Sequence, residues 1–243
     1  MRRSSLARRI LGLALTLALA VGFALPVTAS ASTAGDWVSG SRSAALTANP
    51  ILGVLSVHWW QYVLGQPQTT SPLNDPTGAG CRTGQSGPVF FLVGTAGTGS
   101  ATRDECVVPF GKALFFPIAN AFDVHVPGQD DQDTPELIWN DLQNTFGFEV
   151  TSVFASVDGV KLPGLAPKNP LYRGCAGQDR GCAPRSFTLT FPADNPFGLP
   201  AGDYRPAVAD GSYALIAPLK RGVHTIIFRG SGNAGGPFSQ DIT

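Results

Sequence analysis

The chain has 243 residues, of which 17 are basic and 17 acidic, so its formal net charge at pH 7 is zero, and only 14% of its residues are charged. This balance gives no electrostatic footprint for nucleic acid or for an anionic membrane surface, so nucleic acid is not an expected partner. The length suits one β-rich domain that buries a sizeable core.

The N-terminus has the form of a cleavable signal peptide. Four arginines lie within the first nine residues, an apolar run follows over residues 10–27, and Ala29-Ser30-Ala31 has the small-x-small pattern that a signal peptidase cleaves. We expect removal of residues 1–31 by general secretion, with a twin-arginine signal at Arg8-Arg9 as the alternative. The mature part, 32–243, is then mildly acidic, has no apolar run long enough to span a membrane, and is predicted to be secreted.

Two helices are predicted. Asn49-Pro50 supplies an N-cap and a proline at the first helical position, an apolar body follows, and Gly65 ends a helix over about residues 50–64. Thr134-Pro135-Glu136 opens a second, shorter helix that ends before Gly147. Both are expected to lie at the periphery of the sheets.

Most of the remaining chain shows the spacing of short strands between Gly-rich and Pro-rich turns. Asp158-Gly159 is a two-residue hairpin signal. The predicted strands are residues 88–93, 105–108, 112–118, 148–157, 186–191, 212–218 and 224–229. Many short strands with few helices predict an all-β fold, a single β-sandwich for which a jelly-roll arrangement is one option.

The four cysteines all lie in the mature part, and an even number in an exported chain indicates disulfides. Of the three connectivities we expect Cys81 with Cys106 and Cys175 with Cys182, because each pair closes a short loop rich in Gly and polar residues. A zinc site is the alternative, but no C-x-x-C pair is present and histidine is scarce.

Several segments occur in a recognisable order along the chain. They are the residues HWWQ at 58–61, GQSGPVFFL at 84–92, CVVP at 106–109, GKALFFPIAN at 111–120, ADG at 209–211 and GVHTI at 222–226. In this order the chain resembles a family of exported bacterial proteins. The resemblance implies an exported location and a β-sandwich and brings no established reaction. Ile227 stands where the family commonly has a second histidine after His224, which weakens any proposal of paired histidines.

The aromatic part of the first helix is a candidate binding surface. Trp59, Trp60 and Tyr62 offer the rigid area on which a sugar ring or an apolar polymer stacks. The alternative is packing of an amphipathic helix on a sheet. Because adjacent helical residues point about 100° apart, one of the two tryptophans is expected to be partly exposed.

An acidic loop is the candidate metal site. Asp130, Asp131 and Asp133 follow Asp123 and His125, and calcium prefers such clustered oxygen ligands. The spacing is not that of an EF-hand, and a solvated loop that caps the second helix is the simpler interpretation. No cofactor is therefore expected, with calcium as the alternative.

Catalysis by nucleophilic or acid–base chemistry needs a base. His224 with Asp210 is one candidate pair, and His58 with a carboxylate such as Asp123 is another. The leading functional prediction is an exported, non-catalytic protein that binds an extracellular polymer, a glycan or a partner surface. The alternative is a secreted hydrolase of an ester or glycoside with a His/carboxylate pair, so the sequence leaves open whether the protein is an enzyme.

Overall fold

The computed structural model describes residues 48–176 and 186–243, most of which belong to two five-stranded β-sheets. The elements in chain order are α1 (Ala48–Leu64), a 3₁₀ turn (Pro72–Asn74), β1 (Val89–Phe91), β2 (Gly99–Ala101), β3 (Ala113–Val124), α2 (Pro135–Asn140), a π-helical turn (Asp141–Thr145), β4 (Glu149–Val157), β5 (Val160–Lys161), β6 (Arg173–Ala176), β7 (Phe187–Phe191), β8 (Gly202–Ile216), β9 (Ile226–Asn233) and β10 (Pro237–Ile242). The all-β prediction is confirmed.

Sheet A has the strand order β1-β3-β8-β6, with β7 also paired to β8, and sheet B has the order β2-β10-β9-β4-β5. The long antiparallel pair β3–β8 is interrupted by a bulge between Pro117 and Ala119. The predicted hairpin joins β4 and β5, where Asp158 and Gly159 have φ angles of 51° and 80°. Positive φ at both central residues is what a tight two-residue hairpin turn requires.

Side chains that alternate along β3 divide the core into layers. Phe115 packs with α1 on the outer face of sheet A, together with Leu189 and Tyr213. Phe116 points the opposite way and stacks on Phe228 of sheet B, with ring centroids 4.7 Å apart. The two sheets therefore pack as a sandwich, and α1 covers the outer face of sheet A.

A third cluster lies where α2 closes one end of the sandwich. It contains Ala121 and Val208 of sheet A, Ile138 and Leu142 of the α2 region, and Phe148 before β4. This packing presses the α2 region against sheet A, and the candidate site lies there.

Several predicted elements are confirmed and some are wrong. The first helix forms and begins at Ala48, so Asn49 lies within it and the predicted N-cap at Asn49 is wrong; α2 begins at Pro135 as predicted. Residues 105–108 do not form a strand, because this segment is a loop joined by a disulfide to residue 81. The strands β2, β6 and β10 were not predicted.

The disulfide Cys81–Cys106 is present, with its Cα atoms 5.6 Å apart, as the sequence predicts. Cys182 lies outside the described residues, as does the predicted signal peptide. Among the described residues, no helix has the length and apolar character needed to cross a membrane.

Candidate functional site

Two buried carboxyl groups meet beneath α2. Thr134 caps this helix, and Ile138 and Leu142 anchor it on sheet A with no exposed surface. Asp141 lies between these two anchoring residues in the sequence, next to Leu142, and is only 4% exposed. Asp123, near the end of β3, is 6% exposed and lies within hydrogen-bonding reach of Asp141. Within the part of the chain that the structure describes, neither carboxyl group has an arginine or lysine as its partner.

This environment changes the titration of Asp123. Burial raises the pKa of Asp123 to about 8, with further contributions from the negative charges of Asp141 and Asp130, although a hydrogen bond from the Val124 N–H opposes the shift. That N–H donates to Asp123 Oδ1 at 2.8 Å, whereas Oδ2 receives no donor. Two facing carboxyl groups form a hydrogen bond only when one of them carries a proton, and the raised pKa makes Asp123 the member that carries it at neutral pH.

A small polar cleft connects Asp141 to solvent. Its volume is about 270 Å³. The residues that line it are Asp131, Gln132, Leu137, Asn140, Asp141 and Thr145. All except the leucine bring a side-chain oxygen, and two bring an amide that can also donate. Asp141 is thus the member of the pair that a molecule in the cleft reaches first.

A histidine contacts an aspartate in the loop between β3 and α2. His125 Nδ1 is 2.5 Å from Asp130 Oδ1, and Asp130 also accepts hydrogen bonds from the backbone N–H groups of Val126 and Gln132 at 2.8 and 3.1 Å. Asp130 therefore fixes the shape of the loop between β3 and α2. It also places a negative charge close enough to Asp123 to raise the pKa of that carboxyl group.

The predicted pair of His224 and Asp210 does not form. Asp210, on β8 in sheet A, accepts from Arg173 Nε at 2.9 Å and from Gln143 Nε2 at 3.1 Å. His224 lies before β9 in sheet B and contacts Asp158 instead, with its Nδ1 2.8 Å from the Asp158 carboxylate. Each member of the predicted pair thus has a different partner in a different sheet.

The second predicted combination, His58 with Asp123, is also not formed. His58 is exposed on α1, which covers the outer face of sheet A. Asp123 lies on the opposite face of this sheet, toward α2, because it alternates with Val124, which packs in the α1 cluster.

The predicted aromatic binding surface is buried. Trp59, Trp60 and Tyr62 are 2%, 8% and 8% exposed, and the Trp59 indole N–H donates to the Leu92 carbonyl at 2.9 Å. The expectation that one tryptophan would be partly exposed is therefore wrong. The reason is the close approach of α1 to β6, where a Cβ on Gly174 would lie 2.9 Å from the Leu52 carbonyl.

The aspartates of the predicted acidic loop have separate environments. Asp130 contacts His125, Asp131 lines the cleft, and Asp133 is exposed just before the helix cap. Within residues 48–176 and 186–243, no three His, Cys, Asp or Glu side chains are grouped closely enough to hold a metal ion. A calcium site stays a prediction.

Asp141 is the site residue that the sequence analysis missed. It follows the apolar residues Ile138 and Trp139 and precedes Leu142, so it falls on the spacing of the buried helix face. An acidic residue at a buried helical position was the signal that could have identified it.

Comparisons of this chain with family models, with curated proteins and with solved structures find no match. The geometry of the site therefore carries the functional argument.

Proposed function

We propose that the protein is an exported hydrolase that cleaves an acyl bond, an ester or an amide, with Asp141 as its general base and Asp123 as a protonated residue that donates to it. The observation that carries this proposal is a pair of buried carboxyl groups at the wall of a polar cleft, in which burial raises the pKa of Asp123. Buried titratable groups with strongly shifted pKa values are more frequent at catalytic sites than elsewhere. Export rests on the signal-peptide pattern of residues 1–31.

The reaction follows from the different positions of the two carboxyl groups. A protonated Asp123 donates to the Asp141 carboxylate and orients it, and this carboxylate takes a proton from a water molecule in the cleft. The water oxygen then bonds to the acyl carbon, and the carbonyl oxygen gains negative charge near the Gln132 and Asn140 amides. When the bond to the leaving group breaks, Asp141 returns the proton to the leaving oxygen or nitrogen, which regenerates the pair.

The separation of the carboxyl groups favours acyl bonds over glycosidic bonds. Glycosidases place their two carboxyl groups roughly 5–10 Å apart, on either side of a sugar ring. Asp123 and Asp141 are within hydrogen-bonding reach of each other, which leaves no room for a ring between them. A cleft of about 270 Å³ fits a short acyl group or one side chain of a longer substrate, since pockets for drug-sized ligands are ~300–1,000 Å³.

The test is a pH–rate profile of the exported protein with p-nitrophenyl butyrate and a matched anilide. Asp141→Asn removes the base and is expected to lower the rate by about a factor of 100 or more. Asp123→Asn is expected to keep activity at neutral pH, because its amide still donates to Asp141. In the wild type the rate should fall above pH about 8, where Asp123 loses its proton, and in Asp123→Asn this alkaline decrease should disappear.

Asp133→Asn is the matched control, because Asp133 is an exposed carboxylate on the same loop. It should leave both the rate and its pH profile unchanged. Absence of turnover with both substrates, or a rate that Asp141→Asn does not change, would refute the proposal. The earlier prediction of a non-catalytic binding protein would then be the better account, although its aromatic surface is buried.

A further inference from the structure

The cleft that contains Asp141 is walled by acidic groups. Of the six described residues that line it, Asp131 and Asp141 are acidic and none is basic. The surrounding chain has the same bias, because residues 121–149, all of which the structure describes, contain seven acidic residues and no lysine or arginine. A cleft lined by one sign of charge concentrates ligands of the opposite sign.

Two arginines from other elements lie near this region, and they do not offset its charge. Arg173 of β6 and the π-helical turn meet at Asp210, which accepts two hydrogen bonds from the guanidinium. Arg205 is exposed, at the residue before the carbonyl that accepts from the His125 N–H at 3.0 Å. One arginine that is held by its own carboxylate and one that is exposed leave a clear excess of acidic groups around the cleft.

Asp131 brings to the cleft a carboxylate that has no partner among the described residues. Its neighbour Asp130 contacts the His125 ring and accepts from two backbone N–H groups. The Asp131 carboxylate, in contrast, makes no hydrogen bond and no ion pair within the described chain. Asp131 is also exposed, so a ligand reaches it from solvent. The cleft therefore offers an acceptor that a ligand with N–H donors can satisfy.

The two acidic residues of the cleft lie on either side of α2 in the chain. Asp131 comes before the helix and Asp141 directly after it, and the six residues of α2, at a rise of ~1.5 Å each, make it about 9 Å long. Leu137 comes between them, lines the same cleft and is 47% exposed. The cleft thus combines a carboxylate, an apolar side chain and the proposed base. These features suit a molecule with a positive charge, a short apolar chain and an acyl bond.

We propose that the substrate of this cleft carries an ammonium group, which contacts Asp131 while the acyl bond lies at Asp141 and the connecting methylene chain packs on Leu137. This inference rests on the proposed hydrolase function. An ammonium has three donors and no acceptor, which complements a carboxylate without a partner. Calcium fits less well, because it takes six to eight oxygens, and the described residues contain no group of three His, Cys, Asp or Glu side chains that could hold a metal ion.

The first measurement compares three p-nitroanilides with the same acyl chain. They are the ε-aminocaproyl, caproyl and adipoyl compounds, which end in an ammonium, a methyl group and a carboxylate. The value of kcat/KM should be about fivefold higher for the ε-aminocaproyl than for the caproyl compound, and lowest for the adipoyl compound. Asp131→Asn should remove most of this preference. Asp133→Asn is the matched control, because Asp133 is an exposed carboxylate of the same loop that does not line the cleft, and it should keep the preference.

The second measurement is independent of catalysis. Hexylamine hydrochloride is titrated into isotope-labelled protein, and the NMR shifts of the backbone amides of Asp131, Gln132 and Asn140 are followed. The shifts should change in the wild type and in Asp133→Asn, and should stay constant in Asp131→Asn. Calcium chloride is the comparison. Changes caused by calcium and not by hexylamine would assign the carboxylates to a metal ion and overturn the proposal.

The two measurements separate this inference from the proposed function. Similar rates for the three anilides, all lost in Asp141→Asn, would overturn the ammonium contact and leave the proposed hydrolysis unaffected. No turnover of any anilide would refute the hydrolysis, and the hexylamine titration would then decide the inference. Shift changes that Asp131→Asn abolishes would support an ammonium site in the cleft, and constant shifts in the wild type would overturn it.

Discussion

Two buried aspartates on neighbouring strands of sheet A have opposite surroundings. Asp210 on β8 accepts hydrogen bonds from Arg173, from Gln143 and from its neighbouring backbone N–H, and its side chain is 4% exposed. Asp123 on β3 is 6% exposed but faces a second carboxyl group, and its Oδ2 receives no donor. The same residue type at similar burial therefore has a set of hydrogen-bond donors at one position, and a second carboxyl group and an unpartnered oxygen at the other.

The difference shows how burial alone fails to identify a functional carboxylate. A buried carboxylate with a full set of donors remains ionised and contributes to the fold. A buried carboxylate that faces another one is less favourable for folding, and such an arrangement persists in functional sites. We therefore assign Asp210 to stability and Asp123 to chemistry.

The largest effect on stability is expected from Arg173→Ala. It leaves Asp210 buried without its bidentate partner, in a contact where Asp210 also raises the pKa of Arg173. Removing one partner of a buried ion pair costs about 3–5 kcal/mol, and the low end applies because the Arg173 side chain is 48% exposed. Thermal unfolding should show a melting temperature lower by about 6–12 °C.

The control for this prediction is the surface pair of Arg229 and Asp241, in which both side chains are about half exposed. Arg229→Ala should cost less than about 1 kcal/mol. If Arg173→Ala were no more harmful than Arg229→Ala, the contact between Arg173 and Asp210 would not stabilise the fold and the comparison with Asp123 would fail.

An effect of similar size is expected from the pH dependence that Asp123 gives to the stability of the fold. Its pKa is raised from a usual value of 3.8 to about 8, so the folded state binds a proton more tightly than the unfolded state between these values. The free energy of unfolding therefore decreases as the pH rises from about 4 to 8. The wild type should melt several degrees lower at pH about 8.5 than at pH about 5.

Asp123→Asn should remove most of this dependence, because the amide does not titrate and still donates to Asp141. Asp133→Asn, with its exposed carboxylate, should retain it. An Asp123→Asn variant whose melting temperature falls with pH as steeply as that of the wild type would show that Asp123 is not the titrating group.

The parts of the molecule that depend on local signals were predictable from the sequence. The glycine that ends α1, the Asp158-Gly159 turn and the short Cys81–Cys106 loop each specify their own geometry, and the structure contains all three. Strand β2 carries no such signal, because Gly99, Ser100 and Ala101 are small, and it forms only by pairing with the chain end at β10.

The candidate site was only partly predictable, because its key contact is tertiary. Asp123, His125 and Asp130 were singled out as an acidic loop, but their partner Asp141 comes from the turn after α2. The prediction of an exposed aromatic surface was wrong for the same reason. The close approach of α1 to β6 depends on Gly174, which lies more than a hundred residues after α1 in the sequence.

The smallest effect is expected at His224. Like Asp210 and Asp123, it is a titratable residue whose hydrogen-bond partners determine its role. Partial burial lowers the pKa of His224, but its hydrogen bonds to the Asp158 carboxylate and the Lys220 carbonyl outweigh this, so the net shift is upward. Both contacts are satisfied together only by the imidazolium, because each ring nitrogen must donate. The stabilisation is therefore fully present below the unfolded pKa of about 6.5 and is lost as the pH rises through the folded value.

His224→Gln should remove less than about 1 kcal/mol at pH about 6, as expected for a contact near the surface, and should have no effect at pH about 9. The measurement belongs in the Asp123→Asn background, since Asp123 gives a pH dependence of the same sign. His58→Gln, at the exposed histidine on α1, is the control and should change nothing at either pH. A His224→Gln variant that is equally destabilised at both pH values would mean that the neutral ring already makes these contacts, and that the charge on His224 does not stabilise the loop before β9.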